Sequence, residues 1–113
     1  DGYFFLAGRA TDMIIRGGEN IAPEEIENIM HSHPKIQEVA VIGVPDEEWG
    51  EQPRAVVVLK KGETATPDEI MAYCRDRMAS FKRPRSVIFV DELPRNPMGK
   101  VIKKTLRQQY GEA

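Results

Sequence analysis

The sequence predicts an α+β domain, a small sandwich in which a two-stranded β-hairpin and a three-stranded sheet pack with about three helices. Three observations point there. The runs "VAVIGV" (39–44) and "AVVVL" (55–59) are continuous, apolar and rich in β-branched residues, as strands covered on both faces are. Two segments that open on a proline, "APEEIENIMHSH" and "TPDEIMAYCRDRM", place apolar residues at helical spacing. The elements follow one another as ββ-α-ββ-α-β-α without repeats, low-complexity segments or a long linker, and the helices are expected on one side of the sheet.

Taken in order, "DMIIR" and "ENIA" flank Gly17-Gly18, and two glycines between short strand-like pieces predict a tight hairpin. The first helix has Pro23 at a first-turn position, glutamates near the positive end of its dipole, and Ile26, Ile29 and Met30 on one face. A loop holding Pro45, Trp49 and Gly50 joins the two apolar strands. The second helix starts with a capping box from Thr66 to Glu69, with Pro67 first and Ile70, Met71, Cys74 and Met78 inward. "SVIFV" (86–90) supplies the last strand and "VIKKTLRQQY" (101–110) a closing helix.

Composition narrows the class. A chain of 113 residues, 41% hydrophobic and 30% charged, fits one domain with a modest core. It contains no apolar run of the length a membrane span needs and no signal-peptide pattern, so a cytoplasmic protein is expected. The single cysteine, Cys74, cannot form an internal disulfide and reads as an inert core residue of a reducing compartment. His31 and His33 have no other metal-ligand candidates nearby and receive no chemistry; no Cys or His cluster indicates zinc. The opening "DGYFFLAGRA" enters an aromatic strand at Tyr3 without a capping segment, and the chain is expected to be a domain excised from a larger protein.

The net charge of −2 hides an asymmetry. Residues 1–79 carry eight basic and fifteen acidic side chains, whereas residues 80–107 carry eight basic ones against Asp91 and Glu92. Such a cationic lobe attracts phosphates, nucleic acid or acidic proteins, or is simply solvated surface. In "GRATDMIIRGGENIAPEEIE" the glycines are either turn residues alone or a side-chain-free edge against which a narrow ligand lies.

The long motifs "DGYFFLAGRATDMIIRGGENIAPEEIE" and "FKRPRSVIFVDELPRNPMGKV", some fifty residues apart, decide between these readings. Together with the Pro-x-x-x-x-Gly-Lys ending at 94–100, they resemble the C-terminal domain of the adenylate-forming superfamily of acyl-CoA synthetases, peptide-synthetase adenylation domains and luciferases. The resemblance covers essentially the whole chain. It implies the mobile C-terminal domain of an acyl-CoA synthetase, a ligase that alternates between two domain orientations. ATP first activates a carboxylic acid, expected to be a fatty acid, as an acyl-adenylate, and coenzyme A then displaces AMP. The large N-terminal domain that binds ATP and acid is absent from these residues, so the domain alone is expected to be inactive, and Mg²⁺ would arrive with ATP at that other domain.

The resemblance also assigns residues. Lys100 matches the adenylation lysine, a compact positive charge between two anionic reactants. Arg9 matches the arginine that meets the nucleotide. Thr11 stands where the family places a hinge Asp or Lys, with Asp12 adjacent to take part of the polar role. Gly17, Gly18 and Glu19 match the loop that lines the pantetheine tunnel in the second step. Trp49, Phe81, Arg83 and Arg85 resemble positions that meet the nucleotide end of coenzyme A, a stacking ring and arginines for phosphates; Trp49 and Phe81 are equally readable as core. Lysine acylation of Lys100 by an acyltransferase would remove its charge. Three alternatives stand beside this reading: an adenylation domain that loads a carrier protein, a small nucleic-acid module using the basic lobe, and a protein-interaction module with no chemistry. Against the nucleic-acid module, "RGGE" lacks the second spaced glycine of a backbone clamp and the sequence pI is acidic.

Overall fold

A computed structural model describes residues 13–111. Arg9, Thr11, Asp12 and the strand expected at Tyr3 lie outside the described residues. The elements follow the expected order: β1 (Ile14–Arg16), β2 (Glu19–Ile21), α1 (Pro23–His31), β3 (Ile36–Asp46), β4 (Gly50–Leu59), α2 (Pro67–Arg75), a 3-10 turn (Ser80–Lys82), β5 (Ser86–Phe89) and α3 (Lys103–Tyr110).

β4 organises the sheet. Along one side it pairs antiparallel with β3 from Ile36↔Leu59 to Asp46↔Gly50; along the other it pairs in parallel with β5 from Arg54↔Ser86 to Val57↔Phe89. The hairpin forms as expected, Gly17 and Gly18 taking φ of 56° and 86° as a two-residue turn with left-handed backbone requires. One ladder pair, Arg16↔Gly50, continues it onto β4, beside bonds from Gly17 N to Trp49 O and from Ile15 N to Glu51, so the described two-stranded and three-stranded pieces make one mixed sheet of five strands.

The expectation of helices on one side of the sheet is corrected. Alternate residues of β3 and β4 point to opposite faces. Val41, Ala55 and Val57 pack with Ile26 and Met30 of α1 and Ile70 and Cys74 of α2. Ala40, Ile42, Val56 and Val58 pack with Leu93 and with Leu106 of α3 on the other face. Both faces are thereby covered, which accounts for the continuous apolar runs. Cys74 is fully buried and its thiol is pushed up to about 11 by that burial, leaving it protonated and unreactive at neutral pH. At α2 the Thr66 hydroxyl accepts from Glu69 N at 3.2 Å, while the Glu69 carboxylate pairs chiefly with Lys35, 3.0 Å away.

The outer edge of β3 is closed at its centre. Glu27 of α1 accepts from Val41 N at 2.8 Å and binds Lys103 Nζ at 2.7 Å, and the same Nζ donates to Val41 O at 3.1 Å. One carboxylate and one ammonium thus satisfy both free backbone groups of an edge residue and tie a helix from each face together across it. The carboxylate also offsets Lys103 and Lys104 in the first turn of α3, where the helix dipole disfavours cations. Glu27→Ala strands both the Val41 N–H and the Lys103 ammonium. We expect it to cost about 1–3 kcal/mol in a denaturant titration, with Glu27→Gln costing less; an unchanged midpoint for Glu27→Ala would remove the clamp from the account of stability.

Candidate functional site

Two groups of expected functional residues sit at separate places on this frame. The first is the loop carrying Lys100. Its base is closed by Ile102 N donating to Pro94 O at 2.9 Å and by the Arg95↔Val101 bridge. Arg95 donates to Gly99 O at 2.7 Å and forms an ion pair with Glu38, which moors the loop on β3. Gly99 takes φ of 87°, the left-handed backbone that turns the chain back toward Lys100. Lys100 is exposed, and among the described residues its ammonium has no hydrogen-bond or ion-pair partner.

The second group gathers where β3 turns into β4. Asp46 Oδ1 accepts from Glu48 N at 2.8 Å and Trp49 N at 2.9 Å, shaping a tight turn that holds Trp49 at the surface, 41% exposed. Trp49 is therefore no core residue. Its carbonyl accepts from Gly17 N at 2.7 Å, and a Cβ added at Gly17 would stand 2.7 Å from the indole Cε3. Gly17 thus brings the glycine turn against the ring. Gly18 has nothing within 4 Å of where a Cβ would lie and faces open space, with Glu19 exposed beside it.

Arginines surround this end. The Arg16 guanidinium lies 4.5 Å from the centroid of the Trp49 ring, and its buried Nε has no hydrogen-bond partner among the described residues. Arg85 has its pKa held below the ordinary guanidinium value by desolvation and then by the positive charges of Arg16 and Arg83, with Asp46 acting in the opposite sense. Arg83 and Arg85 also line a cavity of about 200 Å³ with Arg75, Met71 and Pro84, and no acidic side chain contributes to that wall. The buried Nε of Arg83 likewise has no hydrogen-bond partner among the described residues. Like charges brought together without matching carboxylates make a surface that an anion with several oxygens would stabilise. Phe81 lies in the 3-10 turn Ser80–Lys82.

The two groups are far apart. Arg95 anchors the lysine loop at Glu38, and Trp49 stands beside the pair Asp46↔Gly50 at the far end of the same strand. Eight residues of strand separate Glu38 from Asp46, about 26 Å at the usual rise. The cationic lobe read from the sequence is partly neutralised within the fold, because Lys82, Arg95 and Lys103 pair with Glu25, Glu38 and Glu27. His33 is buried, its Nδ1 accepts from Lys35 N at 3.0 Å, and desolvation holds its pKa down, as befits a packed neutral ring. Among the described residues no group of three or more His, Cys, Asp or Glu side chains could hold a metal ion, and no helix is long and apolar enough to cross a membrane.

Sequence reasoning passed over Arg16, Arg75 and Asn96. Arg16 was legible from alternation, two residues from the fully buried Ile14 and hence on the same inner face. Asn96 precedes Pro97, a pair that marks turns in which the Asn side chain bonds the following backbone. Arg75 carried no such signal.

Residues 25–100 match the family described as AMP-binding enzyme C-terminal domain. The chain belongs to this family. Among relatives of this AMP-binding C-terminal domain, a long-chain-fatty-acid–CoA ligase of Mycobacterium tuberculosis is 48% identical over 110 residues, 97% of the chain and 22% of the relative. A 3-[(3aS,4S,7aS)-7a-methyl-1,5-dioxo-octahydro-1H-inden-4-yl]propanoyl:CoA ligase of Rhodococcus jostii is 52% identical over 108 residues, 96% of the chain and 21% of the relative. A feruloyl-CoA synthase of an Amycolatopsis species is 48% identical over 111 residues, 98% of the chain and 23% of the relative. The chain thus spans about a fifth of the length of these relatives. Among solved structures, a fatty acyl CoA synthetase of Mycobacterium tuberculosis superposes with a TM-score of 0.82 at 50% identity, over 89% of the chain and 20% of that structure. ATP-bound MatB from Rhodopseudomonas palustris gives 0.87 at 45% identity, over 90% and 20%. The AMP-binding C-terminal domain therefore has its α+β fold in common with solved synthetases.

Proposed function

We propose that this chain is the C-terminal domain of an AMP-forming acid–CoA ligase, in which Lys100 serves acyl-adenylate formation and the end carrying Gly17, Gly18, Glu19 and Trp49 serves thioester formation. The observation that carries this reading is a half-exposed indole stacked by Arg16, together with the neighbouring cavity that Arg75, Arg83 and Arg85 line without an acidic side chain. Coenzyme A presents an adenine ring and several phosphates, and these are the chemical complements of a stacking ring and a cluster of guanidinium groups. A pantetheine arm held on a carrier protein has no adenine and a single phosphodiester, so it would leave most of that charge unmatched.

The remaining assignments rest on the same reading. Arg9 would meet the nucleotide, Thr11 and Asp12 would form the hinge to an N-terminal domain, and ATP and Mg²⁺ would bind in that domain. Neither half-reaction would run on this chain alone. The relatives' names span fatty, aromatic and fused-ring acids at similar identity, which suits an acid pocket lying outside these residues. A fatty acid is the expected class. Because the Lys100 amine is exposed, an acyltransferase could reach it, and acylation would cancel the charge on which the first step depends.

The test uses the full-length protein. Arg83→Ala combined with Arg85→Ala should raise KM for coenzyme A about tenfold or more, as expected when two charge-assisted contacts are lost. KM for free pantetheine, which carries no phosphate, should change by less than about twofold. Equal weakening toward both thiols would show that the arginines do not meet the nucleotide end, and better turnover with a pantetheinylated carrier protein than with coenzyme A would favour a carrier-loading enzyme.

A further inference from the structure

We infer that Asn96 is a positioning residue for Lys100, holding the peptide from which the ammonium projects; this rests on the role proposed above for Lys100. Both backbone groups of Lys100 end on this one residue. Asn96 Oδ1 accepts from Lys100 N at 3.1 Å, and Asn96 N donates to Lys100 O at 2.9 Å. The same Oδ1 accepts from Met98 N at 2.9 Å, and Asn96 O accepts from Gly99 N at 2.9 Å. Four hydrogen bonds to one residue, two to its side chain and two to its backbone, therefore close the ring 96–100, between the exposed Pro97 and Met98 at its tip and the Arg95–Glu38 mooring at its base.

The contrast between this backbone and the lysine side chain is the reason for the assignment. The ammonium has no partner among the described residues, so only its own stem remains to be ordered when the reactants bind. An Asn oxygen that accepts two backbone N–H groups in a turn does what a longer hydrogen-bonded loop would otherwise need several residues to do. Because Met98 and Lys100 are exposed, water replaces these bonds when the side chain is removed, and the fold does not depend on them. What is lost is the fixed point of departure of the lysine stem. Misplacement of a reacting group by about 1 Å costs on the order of 100-fold in rate, far more than such a loop contributes to stability.

The experiment compares Asn96→Ala, Asn96→Thr and Lys100→Ala in the full-length protein, measuring acid-dependent pyrophosphate exchange and, separately, thioester formation from supplied acyl-adenylate. For Asn96→Ala we expect kcat of exchange to fall about 10- to 100-fold, with KM for ATP and acid unchanged and thioester formation within about twofold of the parent. Asn96→Thr keeps an acceptor oxygen at a similar place and should recover most of the exchange rate. Unchanged exchange in Asn96→Ala, with Lys100→Ala inactive, would overturn the inference and leave the role of Lys100 standing. An equal fall in both half-reactions, or no recovery with Thr, would overturn it too by marking Asn96 as structural. Unchanged exchange in Lys100→Ala would instead sink the reading on which the inference rests.

Discussion

Replacing Lys100 with alanine is expected to lower acid-dependent pyrophosphate exchange about 10²- to 10³-fold, the range found when one charge-stabilising donor is removed from an acyl-transfer site. The carboxylate oxygen attacks the α-phosphorus and pyrophosphate leaves, both reactants being anions, and a cation beside the forming bond offsets their repulsion most strongly in the transition state. The loss should fall on kcat. Lys100 makes no ion pair among the described residues, and its backbone is held by Asn96, so alanine at this position leaves the loop and the fold intact. Thioester formation from supplied acyl-adenylate should stay within about twofold of the parent, since that step would use the far end of β3. Lys100→Arg should recover only part of the rate, because a planar guanidinium cannot reproduce a compact point charge at the same spot. Exchange that survives alanine unchanged would remove Lys100 from the chemistry.

Gly18→Leu should produce the opposite pattern, with thioester formation falling below detection and pyrophosphate exchange retained. The geometry makes this substitution unusually informative. Among the described residues a Cβ at Gly18 meets nothing within 4 Å, so leucine would project outward without a steric clash, at a backbone cost of about 1–2 kcal/mol for the left-handed φ of 86°. A loss confined to thioester formation would then come from what occupies that space in the assembled enzyme, which in the proposed function is the pantetheine arm. Gly17 would serve poorly for the same purpose. Its Cβ would strike the Trp49 ring at 2.7 Å and shift the indole, mixing a blocked tunnel with a displaced stacking surface. Equal loss of both half-reactions in Gly18→Leu would point to a misfolded hairpin, which the circular dichroism of the variant would register.

Much of the fold is legible because period and burial agree. The two apolar runs became β3 and β4, and both prolines predicted at helix starts, Pro23 and Pro67, occupy first-turn positions. Three features escaped. The strands run further than their apolar cores, since Pro45 continues β3 and Gly50 opens β4. A proline reads as a strand end, yet among the described residues β3 is an edge strand with no neighbour to need the missing N–H. The third helix crosses to the opposite face because Leu106, its one buried residue, completes a cluster with Leu93 and Val56, and no local pattern states which face a single leucine will find. The joining of the hairpin to β4 has a single ladder pair beside the Gly17 and Ile15 backbone bonds, below what periodicity can register.

The site divides in the same way. Lys100, Gly18, Trp49, Arg83 and Arg85 came from motifs, and motifs name residues without saying what holds them. Asn96 and Arg16 act on those residues at short range, through a turn and a ring face, and their contributions become visible only when distances are known. Residue type alone does not separate Arg75 from the other surface arginines of this chain; the cavity wall does.

The bond between Glu27 and Lys103 reaches further than the strand edge it covers. Glu27 belongs to the helix that follows the glycine turn, and Lys103 stands three residues beyond Lys100. Through that bond and its contacts with Val41 the two helices are tied to one strand, so that, in the function proposed here, the implements of both half-reactions would ride on one frame. An enzyme built this way would exchange one implement for the other in a single turn of the whole block, so that withdrawing the lysine and presenting the tunnel are the same event rather than two that must be timed.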